Sequence, residues 1–240
     1  MTDARAEKAV PRGGRVRLRP VDSGEATESV RAGDRTASRE VRRQQLIEAT
    51  ITAIAEKGLG SLTLSDVARE AGLAVGTVNF HFATKDQLLT DTLEYLTEEY
   101  RACWTQASAA AADDPASRLE AMMMADFDPM VCTRRKIAAW HSFYGEAKAR
   151  PTVKRHCSAR EREQLVHLSA LCKALIEEGG YGALDPDRVA TGLSAMTDGL
   201  WLDLLFTPGH IDRAGMRRTT RTFLAAFFPR HFSPDDQSPQ

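Results

Sequence analysis

The stretch from Leu62 to Leu88, LTLSDVAREAGLAVGTVNFHFATKDQL, narrows the choice of fold more than any other part of the chain. Thr63 is placed to cap a helix, and Asp66 three residues later completes a variant capping box. Leu64, Val67, Ala68 and Ala71 recur at i, i+3, i+4 and i+7, which is one apolar face of a short helix. Gly72 stops that helix, Leu73 and Ala74 turn the chain, and a second helix opens near Val75 with Val78 and Phe82 on its inner face. Val75, Gly76, Thr77, Asn79, Phe80 and His81 are left for outer or flanking surfaces. Two short helices about a glycine-containing turn are the outline of a helix-turn-helix, whose second helix lies in the DNA major groove. The stretch predicts a DNA reader.

At 240 residues and 42% apolar, the chain can bury a sizeable core in one or two domains. It has no apolar run of about 18 residues, so no membrane span is expected. Its first residues lack the apolar segment of a secretory leader, which predicts a cytoplasmic protein. Cys103, Cys132, Cys157 and Cys172 are scattered, with no C-x-x-C pair, and read as reduced thiols. His156 beside Cys157 lacks partners at metal-binding spacing, so neither a metal nor another cofactor is expected. A net charge of −1 does not advertise nucleic-acid binding. It argues against a body that coats DNA, yet suits one that applies a few Arg, Lys and helix N-termini to phosphates.

Residues 1–38, with little apolar periodicity, are expected to form a disordered tail carrying the basic cluster Arg12, Arg15, Arg17 and Arg19. From Arg39 a long helix puts Ile47, Ile51 and Ile54 on one face and ends at Gly58, with Arg42 and Arg43 near its start in a position to approach phosphates. Lys85 and Asp86 open a fourth helix through about residue 112, with Leu89, Leu93, Leu96 and Tyr100 along its core side. Helical patterns then run over 116–127, 133–148, 158–178, 187–206 and 212–228, separated by prolines and glycines. No β run with turn punctuation is seen. The expected fold is all-α: a helix-turn-helix domain over 39–86, a helical body over 87–229 and a flexible tail over 230–240.

The body groups its few aromatic residues. Phe127 and Asp128 end one helix; Trp140, Phe143 and Tyr144 share a face of another; Asp198 and Trp201 share a face of a third. If these faces converge they make a ring-lined pocket with carboxylates, the chemistry of a quaternary ammonium site. Such a head group has no N–H to donate, so ring faces and an anion select it, at roughly 0.5–2 kcal/mol per desolvated cation–π contact. The plainer reading is that rings at helical spacing fill a core.

The sequence also carries a family resemblance. AREAG, GT, HF and Lys85 three residues after Phe82 resemble the DNA-binding domain of TetR-family repressors. That resemblance implies DNA contacts by Thr63, Gly76, Thr77, Asn79, Phe80, His81 and Lys85. Many members have tyrosine where this chain has Asn79, although an amide also donates to phosphate. RRQQLIEAT at 42–50, Phe127-Asp128, the aromatic group of 140–144 and DGLWL at 198–202 are similar to the BetI branch, repressors of choline-to-glycine-betaine genes with choline as effector. The resemblance implies an effector set of Phe127, Asp128, Trp140, Phe143, Tyr144, Asp198 and Trp201. It also implies a homodimer formed through 158–178 and 187–206, with Leu165, Leu168, Leu171, Leu175, Val189, Leu193, Met196 and Leu200 offering apolar surface. Paired recognition helices need such a dimer to meet two half-sites of an operator.

Two other readings compete. An all-α enzyme acting on a choline-like substrate would need Asp128 or Asp198 as base, but the chain has no G-x-S-x-G, no phosphate-binding glycine loop and no histidine-rich metal helix. A repressor of the same type that answers to a cationic drug or another lipophilic effector differs only in the ligand.

Overall fold

The computed structural model describes residues 24–207 and 209–233. Within them the chain is helical and has no strand: α1 (Gly24–Lys57), α2 (Leu64–Glu70), α3 (Val75–His81), α4 (Lys85–Ala110), α5 (Pro115–Ala125), α6 (Arg134–Glu146), α7 (Pro151–Gly179), α8 (Pro186–Phe206) and α9 (Arg213–Phe227). The chain parts into two units, Met1–Val41 and Arg42–Gln240, and the buried apolar core belongs to the second. Among the described residues no helix is long and apolar enough to cross a membrane.

Caps set most of the helix boundaries. Thr63, Thr84, Asp114, Thr133, Asp185 and Asp212 each accept a hydrogen bond from a backbone N–H in the first turn of the helix they precede. The capping box of Thr63 and Asp66 is complete. Gly58 and Gly72, at φ 76° and 66°, end α1 and α2 in the left-handed region that a Cβ would strain.

Three boundaries differ from expectation. α1 begins at Gly24 rather than Arg39; the preceding residues, including the Arg12, Arg15, Arg17 and Arg19 cluster, lie outside the described residues. Pro151 opens α7 instead of separating helices, because its missing N–H costs nothing in a first turn. The segment after Pro229 starts packed, not free: the Arg230 amide donates to Tyr181 Oη at 2.7 Å and the Arg230 guanidinium to the Gly179 carbonyl. Residues 234–240 lie outside the described residues.

In the body α4 packs on α5 and α7, α5 on α7 and α9, α6 on α7 and α8, and α8 on α7 and α9. α7 thus buries one face against its own chain. Leu168, Leu175, Leu193 and Val189, expected on a dimer surface, lie in this internal core. An apolar stripe cannot say whether it meets its own chain or another. The large exposed apolar residues of α7 and α8 are Val166, Leu202 and Phe206. Val166 also borders a surface groove of about 630 Å³, lined in addition by Glu161, Leu165, Ser169, Asp187 and Ala190.

Candidate nucleic-acid interface and effector site

The reading head is α1 to α3 with the start of α4. Val78 and Phe82 are buried, anchoring α3, while Val75, Gly76, Asn79 and Phe80 are exposed and Thr77 and His81 half-buried. Phe80 stacks edge-on against His81, ring centroids 5.2 Å apart. A Cβ at Gly76 would meet no atom within 4 Å, so the chain's own packing does not require glycine there. Glycine in a helix gives up roughly 0.5–1 kcal/mol relative to alanine, and close approach to another molecule is the compensation this position offers.

The remaining candidates divide. Thr63 is exposed but its hydroxyl is engaged with Asp66. Asp66 also pairs with Lys57 and Arg69, and the Lys57 and Thr63 hydrogen bonds hold its carboxyl well below the usual range, fastening the end of α1 to α2. Arg42 is exposed and donates to Gln45 at 2.7 Å. Arg43, expected near phosphates, instead pairs with Asp91 of α4 at 2.7 Å and lies 5.5 Å over the Phe82 ring. It fastens α1 to α4. Lys85 is half-buried in the first turn of α4, behind the Thr84 cap.

In the body, three of the ring-bearing residues converge. Trp140 and Trp201 are buried and Tyr144 half-buried; Trp140 and Tyr144 rings lie 6.1 Å apart. Trp201 meets Tyr100 edge-on at 5.9 Å and donates its Nε1–H to the Asp126 carbonyl at 2.9 Å. At their meeting point sits Arg160 of α7, its guanidinium carbon 4.0 Å from the Tyr100 ring centroid and 4.5 Å from that of Trp140. Arg160 donates to Tyr144 Oη at 2.5 Å. Tyr100 in turn donates to Asp126 Oδ1 and receives Gln164 Nε2, both at 2.5 Å. A cation, a carboxylate and four rings are already assembled, all from this chain.

The carboxylate inside the cluster is Asp126, which is 1% exposed. Burial pushes its pKa up to about 6, against the Tyr100 hydrogen bond and the Arg160 charge. Asp128 is not in the cluster: it accepts the Met130 amide at 2.7 Å and closes the turn after α5. Asp198 is exposed; nearby protein still raises its pKa by desolvation, against the pull of Arg160. Asp198 borders the centre rather than filling it, and its charge still acts on Arg160. The buried seam of α8 passes through Leu193, Thr197 and Trp201, leaving Asp198 about 100° round the helix from Thr197. Phe127 and Phe143 are fully buried. Tyr100, Asp126, Arg160 and Gln164 were missed as site residues, though a signal existed. Asp126 follows Leu119, Met122 and Met123 at i+7 on the apolar face of α5, and Arg160 and Gln164 interrupt the seam of Val153, Cys157 and Leu168 on α7.

The four cysteines are buried and free, and burial pushes their thiols up to about 11 or 12. Among the described residues no three His, Cys, Asp or Glu side chains form a metal-binding group.

Comparison with known proteins agrees with this architecture. Residues 46–92 match the family described as bacterial regulatory proteins, tetR family, and residues 115–229 match the BetI-type transcriptional repressor C-terminal domain. The HTH-type transcriptional regulator BetI of Burkholderia thailandensis is 35% identical over 179 residues, covering 72% of this chain and 87% of that protein. The chain belongs to the BetI-type branch of the TetR family. BetI of Burkholderia cenocepacia is likewise 35% identical, over 75% of this chain and 90% of that one. Among solved structures, a transcriptional regulator from Pseudomonas aeruginosa PAO1 superposes with a TM-score of 0.70 at 26% identity, covering 81% of this chain and 95% of that one. A regulator from Saccharomonospora viridis, solved in complex with choline, shares the fold with a TM-score of 0.65 at 21% identity, over 76% of this chain and 94% of its own. The BetI-type chain is thus a DNA-binding transcriptional regulator and not an enzyme.

Proposed function

We propose that this BetI-type regulator is a homodimeric repressor of choline and glycine-betaine genes, and that a quaternary ammonium compound, choline or a relative, is its effector. The observation that carries the reading is the buried centre of Tyr100, Trp140, Tyr144 and Trp201 beside Asp126: ring faces and a carboxylate around a point that already accommodates a cation. The choline complex of the Saccharomonospora viridis relative supports the same ligand class. Domain roles follow the expected division, with 39–86 reading DNA and 87–229 binding effector and partner. Gly76 and Thr77 meet base edges; Asn79, Phe80, His81, Lys85 and Arg42 hold phosphates, while Thr63, both of whose donors go to Asp66, sets the start of α2. The exposed α7–α8 face around Val166, Leu202 and Phe206 meets the second copy. Effector binding favours one arrangement of the body over another and so alters the separation of the two reading heads.

Thermal unfolding with choline, glycine betaine and their carbon isosteres, in which tert-butyl replaces trimethylammonium, tests the ligand class. A ligand at about 100 times its Kd stabilises by roughly 2.7 kcal/mol. A shift with an ammonium compound and none with its isostere is expected. No shift with any compound would sink the ammonium reading and favour a lipophilic effector.

A further inference from the structure

The centre of the body is already filled by a cation. Arg160 is 6% exposed, and its guanidinium carbon lies 4.0 Å from the centroid of the Tyr100 ring and 4.5 Å from that of Trp140. Both distances fall inside the roughly 6 Å over which a ring face attracts a positive charge. Tyr144 Oη accepts a hydrogen bond from the same guanidinium. Arg160 thus uses the ring faces that an ammonium head group would need, and it carries the same charge. A second cation cannot join it there. The space between the rings is taken, and two like charges held away from water repel far more strongly than in it.

The guanidinium is held without being locked. Its stem rises from the buried seam of α7, between Cys157 and Gln164. Among the described residues it makes no ion pair, a single hydrogen bond anchors it, and its Nε meets no acceptor. Two carboxylates border the centre on the Tyr144 side. Asp198 and Glu161 are both exposed, both act on Tyr144, and neither has an ion-pair partner among the described residues. Of the carboxylates whose charge acts on Arg160, Asp198 comes first and the buried Asp126 second. Glu161 acts on Asp198 in turn, so two like charges face each other with no cation between them. A guanidinium on a long flexible stem that turns outward past the Tyr144 hydroxyl meets this pair. It has an anion nearby in either position: Asp126 inside, Asp198 and Glu161 at the rim.

We propose that the Arg160 guanidinium is the built-in occupant of the cation site, and that an ammonium effector enters only as Arg160 swings out to Asp198 and Glu161. The inference rests on the effector reading and adds a gate to it. The affinity of the free protein is then reduced by the fraction of time the rings stand vacant. The exchange also supplies two states between which a ligand can choose. With Arg160 inside, α7 is tied to α6 through Trp140 and Tyr144; with Arg160 outside, those rings close on the guest instead.

Nitrogen-15 NMR of the arginine side chains of the full-length protein reads the position of Arg160 directly, its signal identified by its loss in Arg160→Lys. In the free protein the Nε–H should be displaced by the ring currents of Tyr100 and Trp140, and saturation with choline should carry it to the range of exposed arginines. A signal that keeps its ring displacement in the choline-saturated protein overturns the gate while leaving the ammonium reading intact. Calorimetric titration gives a second readout. Arg160→Ala, which vacates the rings, should bind choline about tenfold or more tightly than the native protein, corresponding to rings vacant about a tenth of the time or less. It should also bind ethylguanidinium, the head of the missing side chain, which the native protein should not. Equal or weaker choline binding by the variant overturns the gate. If neither protein binds choline but the variant binds ethylguanidinium, the built-in occupant stands and the ammonium effector falls. Binding of neither compound to either protein overturns both. Should Arg160→Ala not fold, the Arg160 signal of the native protein decides, and absence of choline binding there overturns both.

Discussion

Replacing Asp126 with asparagine should reshape the dependence of stability on pH. Asparagine keeps the shape and the oxygen that accepts the Tyr100 hydroxyl, so the variant removes the titration and little else. Burial raises the Asp126 pKa from 3.8 to about 6. Between these values the unfolded chain has released a proton that the folded chain keeps, so raising the pH draws the equilibrium toward unfolding. Each pH unit in that window lowers the unfolding free energy by about 1.4 kcal/mol, or about 3 kcal/mol in all. Below about pH 4 both states are protonated, and above the folded pKa both are ionised, so the contribution is constant on either side. The stability present at low pH is lost as pH rises to about 6. Urea unfolding of both proteins at one protein concentration, from about pH 4 to pH 7, isolates this effect, because all other titrating groups are common to the pair. The stability of the native protein relative to Asp126→Asn should fall across the window and then level off. A flat difference would refute the reasoning. A difference that rises with pH would show that Arg160 more than compensates the carboxylate for leaving water, reversing the balance expected from its burial.

Four further substitutions test the interface assignments. Gly76→Ala should stabilise the fold by roughly 0.5–1 kcal/mol, since a methyl meets no neighbour, while weakening operator binding through loss of close approach; unchanged affinity by fluorescence anisotropy would remove Gly76 from the DNA contacts. Lys85→Ala should weaken binding to all DNA and reduce the slope of log affinity against log salt by about one, and an unaltered slope would take Lys85 off the phosphate. Val166→Asp, at a residue 61% exposed, should leave helicity intact but shift sedimentation to the monomer, whereas Leu168→Ala should cost about 2–5 kcal/mol of stability through a core cavity. A dimer untouched by Val166→Asp would put the interface elsewhere.

What sequence can convey here depends on whether a signal is local. The helix-turn-helix was legible because each part is settled within a few residues: Thr63 caps, Gly72 turns, Val78 and Phe82 anchor. The all-α body was legible because prolines and glycines punctuate it, although Pro151 shows that one residue serves equally as a stop or a start. The aromatic centre was legible only by half. Helical spacing gathered Trp140 and Tyr144, whose rings lie 6.1 Å apart on one helix, but could not establish which carboxylate faced them from another. Asp126 and Asp128 flank Phe127 alike in sequence, and only packing sets Asp126 against Tyr100 and Trp201 while Asp128 closes a turn. Arg160 was harder still. A lone arginine among polar residues reads as surface, and only the packing of α7 against several helices turns it inward. Half of the dimer stripe turned inward for the same reason, because the burial of Leu168, Leu175, Val189 and Leu193 comes from helices remote in sequence.

On the proposed effector reading, α6 links the centre to the reading head. Its first turn grips two other helices. Arg135 donates to the Glu48 carbonyl at 3.0 Å, the Glu48 carboxylate at 2.7 Å and the Thr52 hydroxyl at 3.1 Å, all on α1. Lys136, nearly buried, pairs with Glu99 of α4 and donates to the Met130 carbonyl at 2.6 Å. One to two turns further along the same helix, Trp140 and Tyr144 face Arg160. A helix is stiff over so short a span, so a guest that displaces Trp140 or Tyr144 moves Arg135 and Lys136 as well. Those residues hold α1, which is fastened to α2 through Lys57 and Asp66, and α4, which begins at Lys85. The Arg150–Asp86 pair, at 2.7 Å, ties the start of α7 to that same end of α4. On that reading the head would receive motion through α1 and α4 together. That arrangement suits reorientation of the whole reading unit rather than local melting of α3, whose anchors Val78 and Phe82 remain buried on a separate face.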